Sequence, residues 1–335
     1  MKAAVLEGPG RFSVRSWADP EPGGRALVRV QSGGICGTDL KIVHGDVPSN
    51  VPVVLGHEVV GRVEVPAPGS PIPAGARVVV DPSFSCGLCS VCRRDRPHLC
   101  PHGGLIGRDD DGGFADLIAV PDSRLHVLPA TMSTTDAVML QVLSTCVHAH
   151  SQIRLELGQV GLVVGLGTAG LLHVQLLAAQ GVRTIIGISR SGAKRALAME
   201  FGATSVAGPA EALALVADVT EGRGADIAIE CAGKAETLIQ AMEGAGYGAT
   251  VLIFGTTAPV ADGMPTYEWY RKELTLLNPR AARPRDFTAA ISAVRDGLVS
   301  PARLITSSYP LDEFEAAVLA AARPEQIKVM LTVAV

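Results

Sequence analysis

Four cysteines fall within one short stretch, Cys86-x2-Cys89-x2-Cys92-x7-Cys100, in a loop that also holds Gly87, Arg93, Arg94 and Pro97. Four thiolates so spaced can close a tetrahedron around one zinc ion, filling every coordination position and leaving none for a reactant. Left as free thiols in an exposed loop they would be an oxidation hazard without benefit, so the stretch reads as a structural zinc lobe over residues 86–100. A second set of ligand-type residues is dispersed. Cys36 stands in Gly33-Gly34-Ile35-Cys36-Gly37-Thr38-Asp39-Leu40, and His57 in Leu55-Gly56-His57-Glu58-Val59-Val60-Gly61. A lone cysteine or histidine is most often a packed core residue; here each is flanked by glycine and close to a carboxylate. Thiolate, imidazole and carboxylate are all ligands zinc accepts, and a catalytic zinc takes three from the protein and keeps a fourth position for water or substrate.

The third chemical signal is Gly165-Leu166-Gly167-Thr168-Ala169-Gly170, which follows the apolar run Val160-Gly161-Leu162-Val163-Val164 and precedes an apolar helical pattern. The first glycine permits a tight turn, the second lets backbone approach a pyrophosphate, and the third lets helix pack closely on strand. Glycine turns without a ligand are common, but this strand–turn–helix context predicts a dinucleotide site. An NAD-specific site places Asp or Glu about twenty residues further on, to accept from a ribose 2′-hydroxyl. Here the stretch is Ile188-Ser189-Arg190-Ser191-Gly192-Ala193-Lys194-Arg195, with no carboxylate. Ser189 and Arg190, with Lys194 or Arg195 within one helical turn of them, offer donors to a 2′-phosphate, which predicts NADP(H). Stacking of Arg190 on an adenine, with NAD(H) bound, is the alternative.

These groups need a scaffold that positions them. The chain has 335 residues, 47% apolar and 19% charged, which predicts a well-packed globular protein of more than one domain. A net charge of −4 and the lack of any basic run give no electrostatic reason to expect nucleic acid or an anionic membrane. The N-terminus meets a charge and a glycine before a signal-length apolar core forms, and no run of about 18 apolar residues exists. The expectation is a cytoplasmic protein in which seven cysteines serve metal rather than disulfides. Short β-like runs broken by Pro20, Pro22, Gly23 and Gly24 open the chain, and residues 134–150 read as one helix. From Val160 strand and helix alternate: strands at 162–164, 182–188, 227–229, 249–254 and 274–277, helices at 171–180 and 193–201. Helices at 287–296 and 311–321 and a strand at 328–333 complete it. His148 and His150, two apart on a helix, face different sides and read as structural.

The order Cys36-Gly37-Thr38-Asp39, Gly56-His57-Glu58, the four-cysteine lobe and then the glycine turn resembles the zinc-dependent medium-chain alcohol dehydrogenases over essentially the whole chain. The resemblance implies an α/β fold: a GroES-like β-barrel catalytic domain (1–152), a Rossmann doubly wound parallel-sheet domain (153–283) and a C-terminal return to the catalytic domain (284–335). It puts Cys36 and His57 on a catalytic zinc, makes Asp39 the acceptor that orients the His57 ring, and gives Thr38 the substrate oxygen and the start of a proton relay. Glu58 is either a ligand or a neighbour that exchanges with water. It also implies that Thr145, Cys231, Phe254 and Asn278 line the cofactor, and that the protein is a homodimer or homotetramer.

Two departures stand out. The family's third ligand, a Cys, Glu or Asp, falls at Gln141, whose amide oxygen is neutral and weaker. That resembles the glucose dehydrogenase branch, in which glutamine and the glutamate after the histidine share the site. Cys146, five residues on along a helix, would point elsewhere. Where many members carry a relay histidine this chain has Lys41; Lys41 or His44 would have to serve, or water alone, and both read equally as solvated groups. The resulting expectation is an enzyme with two zinc ions per chain that transfers hydride between NADP(H) and a secondary alcohol, polyol or sugar. One rival is an NADPH-dependent reductase of a conjugated C=C or C=N bond that keeps only the structural zinc. Another is a non-catalytic NADPH-binding protein.

Overall fold

The computed structural model describes residues 1–255 and 263–333. The chain divides into two compact units, one formed by Met1–Ser144, Ala281–Arg295 and Ser300–Val335, the other by Thr145–Arg280 and Asp296–Val299.

The first unit is built on antiparallel strands. β1 (Lys2–Gly8) pairs with β2 (Arg11–Ser16), whose alternating pattern turns Phe12 and Val14 inward. β3 (Ala26–Ile35) alternates in burial at first, then is buried at every residue from Ser32 to Ile35, so the strand dives into the interior just before Cys36. α1 (Gly37–His44) begins at once, turning Asp39, Ile42 and Val43 inward. β4 (Val53–Val54) adds to β1, and β5 (Glu58–Val65) runs antiparallel to β3 in a register that sets Gly34 opposite Glu58. That register brings the end of one strand and the head of the other to the same point. β6 (Arg77–Val80) continues the sheet. β7 (Ser83–Phe84) and β8 (Gly104–Leu105) pair with each other and bracket the four-cysteine loop. β9 (Leu117–Val120) and β10 (Leu125–Val127) close this part. Residues 134–150 form two helices, α2 (Thr134–Val138) and α3 (Leu140–His150), with a break at Met139 where the continuous helix was expected. Ser133 caps the first by accepting from the backbone of Asp136.

The second unit is a six-stranded parallel sheet. In chain order its elements are β11 (Val160–Val164), α4 (Thr168–Ala179), β12 (Thr184–Ile188), α5 (Gly192–Glu200), β13 (Ser205–Ala207), α6 (Ala212–Val219), β14 (Ala225–Glu230), α7 (Ala235–Gly244), β15 (Ala245–Ile253), α8 (Thr266–Arg271) and β16 (Thr275–Leu277). The strand order is β13-β12-β11-β14-β15-β16, all pairs parallel. The order therefore reverses between β11 and β14, the doubly wound arrangement whose ligands lie at the carboxyl ends of the strands. β11 is buried at all five positions, so it shows an unbroken apolar run instead of alternation.

The chain then returns to the first unit through α9 (Pro284–Arg295), β17 (Ile305–Pro310), α10 (Phe314–Ala321) and β18 (Lys328–Thr332). β18 pairs antiparallel with β3, Val329 opposite Ile35, and β17 lies parallel to β18. The large sheet reads β10-β6-β5-β3-β18-β17, with β9 also on β3. Phe314 from α10 packs on Phe12 and Phe114, each with ring centroids 5.5 Å away. No helix among the described residues is long and apolar enough to cross a membrane.

Candidate active site and metal centres

The four-cysteine loop gathers its sulfurs tightly. Sγ separations are 3.5 Å for Cys89–Cys92 and for Cys86–Cys100, 3.9 Å for Cys89–Cys100 and 4.0 Å for Cys86–Cys92. These are far longer than a disulfide bond and match the ~3.8 Å edge of a tetrahedron with metal–sulfur bonds of about 2.3 Å. Backbone N–H groups of Leu88 and Cys89 draw the Cys86 thiol down to about 6, whereas desolvation and the neighbouring sulfurs push Cys92 up to about 11. One negative sulfur thus opposes the next, and a divalent cation is the group that lets all four ionise. The donor set fits zinc.

The second cluster lies where β3 ends and β5 begins. Donor atoms of Cys36, His57 and Glu58 lie within 4.8 Å of one another. Asp39 ties two of them together: its Oδ1 is 3.0 Å from His57 Nδ1, and its Oδ2 accepts from the Cys36 backbone N–H at 2.8 Å. The imidazole is thereby turned so that Nε2 is left for a ligand role, the arrangement by which zinc-bound histidines are commonly held. Burial disfavours the charged ring, but the Asp39 carboxylate and the Cys36 sulfur outweigh it and raise the His57 pKa well above the usual value. Sulfur, nitrogen and carboxylate oxygen converge at a point lined by groups 0–4% exposed, Glu58, Asp39 and His57, and that donor chemistry also fits zinc.

Lys328, absent from the sequence reading, completes this cluster. It heads β18 and is 3% exposed; its Nζ lies 2.7 Å from Oε1 and 2.5 Å from Oε2 of Glu58, and donates to the Ile35 carbonyl at 3.3 Å. Burial alone would strip the charge from the lysine, but Glu58, with Cys36 and Asp39 behind it, holds its pKa above the ordinary lysine value. The sequence signal was a single charged residue opening an otherwise apolar strand, Lys328-Val329-Met330-Leu331.

In the second unit Gly165 has φ +97°, and a Cβ there would stand 2.9 Å from the Ala232 nitrogen; a Cβ on Gly170 would meet the Gly165 carbonyl oxygen at 1.9 Å. Gly167, the N-cap of α4, has open space within 4 Å of the same construction. The outer glycines are packing requirements and the middle one leaves a cradle at a helix N-terminus, which suits a phosphate group. At the end of β12 Ser189 is half-buried and Arg190 exposed, and the Arg195 guanidinium folds back onto the carbonyls of Ser189 (2.6 Å) and Arg190 (3.2 Å). Arg195 thus braces this turn and Arg190 reaches into solvent.

Residues 22–130 match the family model for the alcohol dehydrogenase GroES-like domain, and residues 169–296 match that for zinc-binding dehydrogenases. A sorbitol dehydrogenase of Halalkalibacterium halodurans is 31% identical over 99% of both chains. The D-arabitol-phosphate dehydrogenase of Enterococcus avium is 30% identical over 92% of this chain and 89% of its own. The crystal structure of a putative zinc-binding dehydrogenase from Sinorhizobium meliloti, bound to NADP, superposes with a TM-score of 0.91 at 35% identity, covering 99% of this chain and 98% of that one. The chain belongs to the zinc-dependent medium-chain alcohol dehydrogenases. It is an oxidoreductase with a GroES-like domain and a Rossmann domain.

Within this dehydrogenase the remaining expected residues are placed as follows. Thr38 is half-buried on the first turn of α1, two residues past Cys36; Lys41 is half-buried on the same helix and His44 is exposed at its end. Gln141 is half-buried on α3; its backbone carbonyl accepts from Ser144 Oγ at 2.6 Å, and its amide makes no hydrogen bond among the described residues. Thr145 follows on α3, where its hydroxyl meets the buried Cys146 thiol, which burial raises beyond the usual range. Cys231 and Phe254 sit half-buried just past β14 and β15, and Asn278 is exposed just past β16. Phe254 stands edge-on to His173, at 4.6 Å between ring centroids. His173 in turn bonds to His150, 2.9 Å between Nδ1 and Nε2, whereas His148 bonds to Gln152; the two histidines of α3 point to different partners.

Proposed function

We propose that this enzyme transfers a hydride between NADP(H) and a secondary alcohol, polyol or sugar, with zinc at Cys36, His57, Glu58 and Gln141 and a second, structural zinc at Cys86, Cys89, Cys92 and Cys100. The observation that carries the reading is the convergence of Cys36, His57 and Glu58 donors within 4.8 Å, with Asp39 aligning the imidazole. The names of the relatives, sorbitol and D-arabitol-phosphate dehydrogenases, support a polyhydroxylated substrate. The NADP-bound relative supports the phosphate-bearing nucleotide, as does the carboxylate-free end of β12.

When bound, zinc supplies Lewis acidity toward the substrate oxygen and the nucleotide supplies the hydride carrier. The chain's own residues do the rest. Asp39 fixes the ring of His57, Cys36 contributes a thiolate, and Glu58 is shared between this cluster and Lys328. Thr38, next to Cys36 on α1, takes the hydroxyl proton of the alcohol and passes it outward; Lys41 and His44 lie further along the same helix toward solvent. Ser189, Arg190 and Lys194 receive the 2′-phosphate, while the backbone from Gly165 to Gly170 receives the pyrophosphate. A homodimer or homotetramer accompanies this reading.

The test is zinc per chain, measured on wild type and on His57→Ala, beside NADPH- and NADH-dependent turnover of a carbonyl panel. We expect two zinc ions falling to one, with turnover lost. One zinc in both proteins, with turnover unchanged, would overturn the mechanism in favour of a reductase that uses only the structural metal.

A further inference from the structure

Glu230 ends β14 and is fully buried. Its Oε1 accepts three hydrogen bonds, from the backbone N–H of Ala232 (2.7 Å) and Gly233 (2.8 Å) and from the Thr237 hydroxyl (2.7 Å). Its Oε2 is just as buried and has no hydrogen-bond partner among the described residues. Folded proteins rarely leave a buried carboxylate oxygen unanswered, because the group has given up water for nothing. Holding the turn after β14 explains Oε1 alone. A neutral amide oxygen would hold that turn equally well, so the second oxygen and the charge need a separate account.

The position supplies one. A Cβ on Gly255 would lie 2.6 Å from Oε2, and a Cβ on Gly165 would lie 2.9 Å from the nitrogen of Ala232, the residue Glu230 holds. The carboxylate therefore lies at the carboxyl ends of β14 and β15, directly behind the turn that would carry a pyrophosphate. Ser189 and Arg190, at the end of β12, are on the other side of β11. A dinucleotide whose adenosine half lies on the β12 side must lay its second half over β14 and β15. That half holds the nicotinamide ring, cationic when oxidised and neutral when reduced.

We propose that Glu230 is a residue that tunes the nicotinamide: its buried carboxylate favours the oxidised nucleotide over the reduced one, beyond its part in shaping the turn. The proposal rests on the nucleotide reading above. Charge near the nicotinamide is one of the levers by which a protein sets a cofactor's redox balance, and through a poorly screened interior one charge is worth about tenfold in relative affinity.

The experiment is direct titration of wild type, Glu230→Gln, Glu230→Met, Glu230→Asp and Thr237→Val with NADP+ and with NADPH, without substrate. The dissociation constant for NADP+ relative to NADPH should rise about tenfold in both neutral variants and return toward wild type in Glu230→Asp. Thr237→Val, which removes one support of the turn but no charge, should weaken both nucleotides by the same factor. An unchanged ratio in a neutral variant that still binds nucleotide, or an equal change of ratio in Thr237→Val, would overturn the proposal. If wild type binds NAD+ and NADH instead, the same ratio is read with that couple. Wild type that binds none of the four overturns the nucleotide reading, and this proposal with it.

Discussion

The two candidate metal clusters of the first unit are built in opposite ways. The lobe between β7 and β8 draws four identical donors from one loop, with Cys86 exposed and only Cys100 buried. The cluster at Cys36 draws three different donors from the end of β3 and the head of β5, buries His57 and Glu58 with Cys36 half-buried beside them, and adds Asp39 and Lys328 behind them. The lobe is self-contained: four sulfurs on tetrahedral edges satisfy a zinc ion and leave no room for anything else. The mixed cluster is held by the fold, with a carboxylate already paired to an ammonium. A site that must exchange its ligands needs such surrounding groups, whereas a clamp does not.

The harshest way to break this contrast is to remove the partner that only the buried cluster has. With the Cys36 site stripped of metal, Lys328→Met leaves the Glu58 carboxylate buried without its countercharge, which costs about 3–5 kcal/mol. Urea unfolding should show that loss, and Glu58→Gln/Lys328→Met should recover most of it because no lone charge remains. Zinc in the lobe, titrated after stripping the other site, should be unaffected. A Lys328→Met protein as stable as wild type would mean that the pair is not a buried one.

A milder substitution sharpens the contrast. Asp39→Asn keeps an acceptor for the Cys36 N–H yet takes away the charge that aligns and polarises His57. Loss of such a partner typically lowers metal affinity 10–100-fold. One zinc per chain should therefore be released to a competing chelator at a correspondingly lower chelator concentration, while the lobe zinc keeps its wild-type affinity. Equal weakening of both metals would show a global loss of stability and remove any special role for Asp39.

The same contrast explains what could be read before the fold was known. The clustering of Cys86, Cys89, Cys92 and Cys100 is local in the chain, so spacing alone conveys it, and the glycine turn is local too. The Glu58–Lys328 pair joins residues 270 positions apart and exists because β18 lies beside β3 in one register; no local pattern carries that. The break at Met139 was hidden because apolar residues at helical spacing run across it, and only the cap at Ser133 marks a short first helix. β17 escaped notice because Ile305-Thr306-Ser307-Ser308-Tyr309-Pro310 alternates half-buried and exposed, never fully burying a side chain. α6 and α7 fell between strands whose apolar runs were easier to see. The wording Glu230-Cys231-Ala232-Gly233 was visible as a strand end, but its carboxylate could be told from a surface acid only by its three donors.

The smallest expected effect concerns the lobe stripped of metal. The backbone donors around Cys86 set its pKa at about 6, so its thiol is mostly ionised at pH 7, whereas Cys92 stays protonated until about 11. An ordinary cysteine, with a pKa near 8.5, is only about 3% thiolate at that pH. Roughly thirtyfold more thiolate does not mean thirtyfold faster alkylation, because nucleophilicity falls as pKa falls, with a Brønsted slope of about 0.4–0.5. The two effects leave a net advantage of about two- to threefold over a free cysteine. Iodoacetamide labelling read by peptide mass should therefore mark Cys86 first. Its rate should be flat above about pH 7 and half-maximal near pH 6, falling as the sulfur is protonated; Cys92 should be labelled last. With zinc restored all four sulfurs become metal-bound and labelling should stop. Equal rates at Cys86 and Cys92 would mean that the loop does not hold its backbone donors in place until a metal organises it, and the self-contained character of the lobe would then belong to the metal and not to the chain.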